Sequence, residues 1–432
     1  MQDRFGLPVT GASSAALAHY VEGLDLLLSA NAGALEQLDA ALAQSPDFAL
    51  AHAARARLLQ MYAQPKEAKA AADVARWHAA MATDRERGHV EPVALLIEGR
   101  GADAWAALER HAANFPRDAL PLSLALGVYG LLGFSGRVDH HQAQRALLER
   151  MAGDWGDDWW FLTYLGWSRV ETGEPAQGTP LLDQALALNP HNAHGAHARA
   201  HGFYEMGEAE AGRQFLADWL PDYDRASQLH CHLTWHQALF ALQLGDADAA
   251  LRLYTQTIQP SAATSPPLFT LADAASLLWR LKLYGHEVAA QAWTDVGELA
   301  QRAFPHAGIG FADVHAVLAA AGAGGDIGAR TGELQALVQA ARLPAGRVVP
   351  AVARGIAAFA AGEYDDAARL LEDALPELDR IGGSHAQRDV IVDTLIVAHL
   401  KAGRPERAAA ALRSRCDSRA SHLGDAWLAR IH

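Results

Sequence analysis

Four histidines fall between His191 and His201, and three more follow at His230, His232 and His236. Two pairs, His197 with His201 and His232 with His236, are four residues apart, which on a helix puts both rings on one face, one turn apart. Imidazole titrates near neutral pH and ligates borderline metal ions, so such a set suits either proton transfer or the holding of Zn or Fe. Glu205 could add a carboxylate ligand or a base. In a chain with 21 histidines such pairs also arise by coincidence, and the HExxH signature of helical zinc sites is missing. Three readings follow: a divalent metal on His197, His201, His232 and His236, a metal-free polar pocket, or plain structural histidines.

These residues need elements that hold them in register. Half the chain is apolar and alanine dominates that half, while β-branched residues are sparse, a balance that favours helix over sheet. Several segments share a rhythm of apolar helix, glycine, short polar turn and second helix, with the turns at Gly173, Gly207, Gly245, Gly362 and Gly403. Gly173 and Gly207 are 34 residues apart, the period of the tetratricopeptide repeat, while later spacings of 38 and 41 mark degenerate repeats. The reading is one all-α domain over residues 1–432, a superhelical solenoid of tetratricopeptide-like hairpins curled around a central pocket. The repeats are clearest at 158–260 and 348–420, and the pattern is weakest in the Gly- and Ala-rich stretch from Ala319 to Arg347.

In such repeats the first helix of each pair lines the concave face. Counting back from the turn glycine by resemblance to that family, its inward positions before Gly207 are His194, His197, His201, Tyr204 and Glu205. The same count gives His232 and Trp235, with His236 one step on, before Gly245, and Trp160, Thr163, Trp167, Val170 and Glu171 before Gly173. Three successive inner helices therefore present Trp, His and Glu to one groove.

The formal charge of -14 and the lack of a basic run argue against nucleic acid. Two cysteines, Cys231 and Cys416, make no disulfide framework. With no signal-like start and no run of eighteen apolar residues, the expectation is a cytoplasmic protein without membrane contact. No phosphate-cradling loop or GxSxG elbow occurs, so ATP, NAD and serine-hydrolase chemistry are not expected. Helical period turns Cys231 away from the His232 and His236 face.

The strings "CHLTWHQALFALQLGDADAALRLY", "DAASLLWRL", "FADVHAVLA" and "GGSHAQRDVIVDTLI", in this order and through the closing "WLARIH", resemble the tetratricopeptide repeat protein 38 family. The residues carrying the match are His232, Trp235, His236, Asp273, Trp279, Arg280, Asp313, His315, Gln387, Arg388 and Asp389. The resemblance implies a helical-repeat fold and a soluble protein, and no particular activity.

As a group these residues make chemical sense. Asp273 and Arg280 are seven apart and share a helical face. Asp313 and His315 point some 160° apart on a helix, so one of them is structural unless the helix bends there. Gln387, Arg388 and Asp389 open a helix after "GGS", capped by Ser384 or Asp389. Arg388 could clamp an anion or pair with Asp273 or Asp389. Trp235 and Trp279 serve as packing or as an aromatic wall.

The favoured function is binding and acid/base transformation of a small molecule, without an organic cofactor, as in a hydrolase, lyase or isomerase. Among the catalytic candidates His232, His236, Asp273, Asp313 and His315, His232 or His236 would be the base and Asp273 or Asp313 its orienter. Trp235, Arg280, Trp279, Arg388, Asp389, Gln387, His201, His197, Glu205 and Trp167 would bind the ligand, with the arginines on any anionic group. A peptide-binding scaffold and a metal-dependent enzyme are the alternatives, and homo-oligomers stay open.

Overall fold

The computed structural model describes residues 1–416 and Trp427. The rest of the closing "WLARIH" and the last residues of the 348–420 stretch lie outside the described residues. Twenty-two α-helices follow one another among the described residues, which contain no β-strand beyond an isolated bridge between Gln2 and Pro8. The Ala319 to Arg347 stretch is helical too, ending one helix at Gly322 and carrying another over Gly328–Gln339.

Successive helices pair as antiparallel hairpins. All five anticipated turn glycines have positive φ, from 69° at Gly403 to 85° at Gly173. At Gly207 (φ 71°) the amide closes the helix on the Phe203 and Tyr204 carbonyls, a geometry that a side chain would strain. The hairpin of Trp159–Glu171 and Pro175–Leu188 is drawn tight by Gly166 against Gly178. A Cβ on Gly178 would come within 2.4 Å of the Gly166 carbonyl oxygen, so only glycine permits this backbone approach.

Two large apolar cores run through the stack. One gathers residues from Phe5 to Leu165, the other mainly residues from Ala193 to Trp427. The N-terminal segment is tied down by charge: Arg85 bridges Asp3 (2.9 Å) and Asp118 (2.8 Å), and Asp118 also meets His89 (2.9 Å) and His111 (3.0 Å). All five side chains are buried. Such a network holds only when its members satisfy one another.

The solenoid curls back on itself. Gln387 Nε2 donates to the Tyr129 hydroxyl (3.1 Å), Arg380 to the Gly136 carbonyl (3.0 Å), and the His385 amide to Glu171 (3.1 Å). Tyr204 closes the same seam by donating to Asp389 at 2.8 Å. Each of these bonds spans 185 to 258 residues, far beyond neighbouring repeats. The helix His385–Lys401 is thereby drawn into the middle of the molecule, against Pro267–Leu283 and beside the inner helices of the earlier repeats. The expected curl is present, and polar side chains pack its interior.

Candidate functional site

Two neighbouring inner helices, Ala193–Met206 and His230–Gln243, bring four imidazoles together. Their four-residue spacing stacks His197 over His201 and His232 over His236, and the two helices face these pairs toward each other. His197 has its ring centre 4.6, 4.7 and 5.1 Å from those of His201, His232 and His236. His236 is in turn 4.6 Å from His201 and 4.9 Å from His232. His197 Nε2 lies 3.0 Å from His201 Nε2 and 3.0 Å from His232 Nε2. Ring nitrogens of His197, His201 and His236 all fall within 4.8 Å of one another. His236 is fully buried, and neither of its ring nitrogens has a protein hydrogen-bond partner.

Carboxylates stand behind two of the rings. Asp273, from the helix Pro267–Leu283, holds His232 Nδ1 at 2.8 Å. Glu171, from the end of Trp159–Glu171, places an oxygen 2.8 Å from His201 Nδ1, off the line of a hydrogen bond. The two carboxyls feel opposite net fields. Burial raises the Asp273 carboxyl, and His232 and Arg280 offset only part of that. Burial also pushes Glu171 upward, but His201, His385 and His141 outweigh it and hold the group well below the usual carboxylate range. For His197 and His236 burial leads, reinforced by the neighbouring imidazoles, and both rings are held well below the usual histidine value, hence neutral near pH 7.

A second polar layer lies between Glu171 and the returning C-terminal helix. His141 Nε2 is 3.6 Å from Glu171, and His385 Nδ1 is 3.7 Å from Glu205. Burial lowers His385, but Glu205 and Glu171 overcome it and raise it above the ordinary histidine value. Arg388 donates to the Gly383 carbonyl, pairs with Asp379 at 2.7 Å and approaches His141 at 3.4 Å. Asp379 takes the place of the anticipated Arg388 partners, Asp273 and Asp389, as the guanidinium is held on the Gly382 and Gly383 carbonyls of the preceding turn.

Several sequence candidates stand elsewhere. Asp313 pairs with Arg330 (2.5 Å) and accepts the Gly308 amide (3.0 Å), so it secures the start of its helix and orients no histidine of the cluster. His315 turns Nδ1 to the Phe311 carbonyl (2.7 Å), and burial, helped by the nearby Arg280 charge, lowers it to about 4. Trp279 donates to Thr394 (2.9 Å) and packs on Trp293 and Phe359, a core role. Gln387 forms a capping box with Ser384 and reaches Tyr129, which leaves the cap to Ser384 and not to Asp389. Arg280 donates to the Ala386 carbonyl (2.6 Å) and lies 3.7 Å from Asp393, bracing two helices and not presenting a free cation. Beside it, Tyr204, Leu242, Tyr284 and Arg415 line a cleft of about 20 Å³, room for roughly one water.

Trp235 packs directly on the histidine cluster. It is fully buried, donates to Ser276 (3.2 Å) and lies parallel to His232 at 5.2 Å. Trp167 sits in a small apolar cluster and edges His141 at 5.6 Å. Cys231 faces Asp273 with its sulfur 4.0 Å from Oδ2, closer to the dyad than helical period suggested. Burial first, and Asp273 next, raise its thiol well above the ordinary value, which removes it as a nucleophile.

The sequence reading left Glu171, His141 and His385 out of the site. Glu171 was visible on the inward stripe, two residues before its turn glycine like Glu205, and that shared register was the available signal. His141 meets Glu171 from the helix just before it, His140–Trp155, whereas His385 reaches Glu171 only through closure of the superhelix.

No family model matches the chain, and the solved structures it is similar to are distant. A human IFIT1 dimer with m7Gppp-AAAA is 15% identical over 95% of this chain and 94% of that one, with TM-score 0.45. Yeast Tom70 is 13% identical over 96% and 95%, with TM-score 0.32. The P58(IPK) TPR domain is 16% identical over 91% and 99%, with TM-score 0.21. No helix among the described residues is long and apolar enough to cross a membrane. The hairpins and turn glycines described above define this chain as an all-α, tetratricopeptide-like helical-repeat protein.

Proposed function

We propose that this protein binds and transforms a small molecule at the interior histidine–carboxylate site. One observation carries the reading: His197, His201, His232 and His236 converge, with Asp273 and Glu171 behind two of them. Apolar side chains would pack this space with no desolvation cost, whereas an unpaired buried polar group costs roughly 1–3 kcal/mol. A cluster retained at that cost fits chemistry better than packing. His232, oriented by Asp273 and walled by Trp235, is the residue placed to exchange a proton with a bound molecule.

The chain is also read here as a relative of the tetratricopeptide repeat protein 38 family. Support comes from its motif residues His232, Trp235, His236 and Asp273, which are all buried together. A reducing, cytoplasmic setting fits the buried free thiol of Cys231.

A second reading, a protein-binding scaffold, is favoured by one outer feature. Val74, Trp77 and Met81 form an exposed apolar ridge, with Trp77 77% and Met81 93% accessible. Native mass spectrometry of the purified chain separates the two readings. A small-molecule adduct on the wild type that is lost in His236→Ala, with folding intact, supports the interior site. A wild type that carries no adduct and turns over nothing in a metabolite panel overturns it.

A further inference from the structure

We propose that His197, His201 and His236 ligate one divalent transition-metal ion of the zinc class, with His232 beside the open coordination position. The inference rests on the reading of the histidine cluster as the functional site and assigns its cofactor.

The nitrogens make the argument. With Asp273 ionised, His232 carries its proton on Nδ1 and presents a lone pair on Nε2. Glu171 Oε1 lies 2.8 Å from Nδ1 of His201, off the line of a hydrogen bond, and the other ring nitrogen, Nε2, faces His197. His197 Nε2 then meets both of these nitrogens at 3.0 Å. One ring nitrogen is either donor or acceptor, so a neutral His197 cannot satisfy both contacts with linear hydrogen bonds. Lone pairs turned toward a common centre are what a cation requires. His236 supplies the second, independent observation: it is fully buried, aimed into the cluster, and unpartnered at both nitrogens.

The donor set fits the ion. Zinc takes imidazole nitrogens at ~2.0–2.1 Å, which sets tetrahedral ligand atoms roughly 3.3 Å apart. The observed separations, 3.0 Å for His197 to His201 and within 4.8 Å for the whole triad, need only small ring movements. Three imidazoles leave a fourth position for water or substrate, as catalytic zinc sites do. His197 alone among the three is partly exposed, which gives the ion and its fourth ligand a route in. Buried carboxylates behind the rings are the usual outer support of metal-bound histidine.

The test uses the full chain, stripped with chelator and dialysed against Zn(II), with metal counted by elemental analysis and affinity taken from chelator competition. The expected result is one zinc per chain, with Co(II) in its place giving the visible absorption of a four-coordinate site. His197→Ala, at the partly exposed ligand, should abolish stoichiometric binding, and Glu171→Gln should weaken it roughly 10–100-fold. His194→Ala, on the same helix but outside the triad, should bind like wild type. If His197→Ala does not fold, Glu171→Gln carries the test. Failure to bind one zinc, or equal binding by wild type, His197→Ala and Glu171→Gln, overturns the metal site. Protein that takes up no zinc yet binds or turns over a small molecule would overturn the metal and leave the proposed function standing. A zinc-loaded protein inert toward all small molecules would do the reverse.

Discussion

Asp273 Oδ1 stands 2.8 Å from Nδ1 of His232, joining helices whose paired residues are 41 apart in the chain. Both side chains are buried, and Trp235 covers the flat of the imidazole. This contact fixes which way the ring faces and which nitrogen it offers to the centre. Asp273→Asn keeps the shape but removes the charge that selects this tautomer. Activity or metal affinity should fall roughly 10–100-fold. The melting curve should move little, because the same substitution relieves a buried carboxylate that burial already disfavours. Parallel calorimetry and ligand titration check the separation of the two effects.

The curl of the solenoid makes a second claim. Tyr204 donates to Asp389 across 185 residues, so Tyr204→Phe should cost about 1–3 kcal/mol, the range for leaving a buried acceptor without this partner. Urea unfolding measures that loss. An unchanged midpoint would show that the seam is held by other contacts.

Backbone approach in the hairpin of Trp159–Glu171 and Pro175–Leu188 gives a third. Gly178→Ala would drive a Cβ to 2.4 Å from the Gly166 carbonyl oxygen, and overpacking of this kind costs roughly 1–3 kcal/mol. Gly245→Ala meets open space and suffers only from its φ of 81°, a strain of roughly 1–2 kcal/mol. Gly178→Ala should therefore unfold at lower urea than Gly245→Ala.

Acid sensitivity follows from buried neutral imidazoles. His315, His194 and His140 are lowered to about 4, by burial first in each case. Their unfolded value is near 6.5, so between pH 6.5 and 4 the unfolded chain binds more protons than the folded one. The stability these rings contribute is complete above pH 6.5 and drains away as pH falls toward 4. For His315 alone the loss is on the order of 3 kcal/mol by pH 4. His315→Phe should flatten the slope of unfolding free energy against pH across that window by about one proton's share. An identical slope in variant and wild type would exclude His315 as a contributor.

How much of this was legible in the sequence depends on the range of the interaction. Turn glycines and apolar period are local, set by backbone sterics and a fixed helical rise, and they specify the hairpins directly. Spacing also determined that His197 with His201, and His232 with His236, share a face, since 3.6 residues per turn leaves no other choice. Resemblance added Asp273 and Trp235, both of which meet His232. The same reasoning assigned ligand or catalytic roles to Trp279, Gln387 and Asp313, which the fold uses for core packing, a cap and an ion pair.

Residue type cannot separate those uses, because an aspartate beside an arginine and one beside a histidine look alike in one dimension. Only the tertiary structure decided which helices face one another. Small rotations accumulated from hairpin to hairpin bring the helix His385–Lys401 back to Tyr129 and Glu171. Stacking of neighbouring repeats turns four histidines on two helices into a single centre, and the closure adds His385 to the His201 and His141 already beside Glu171.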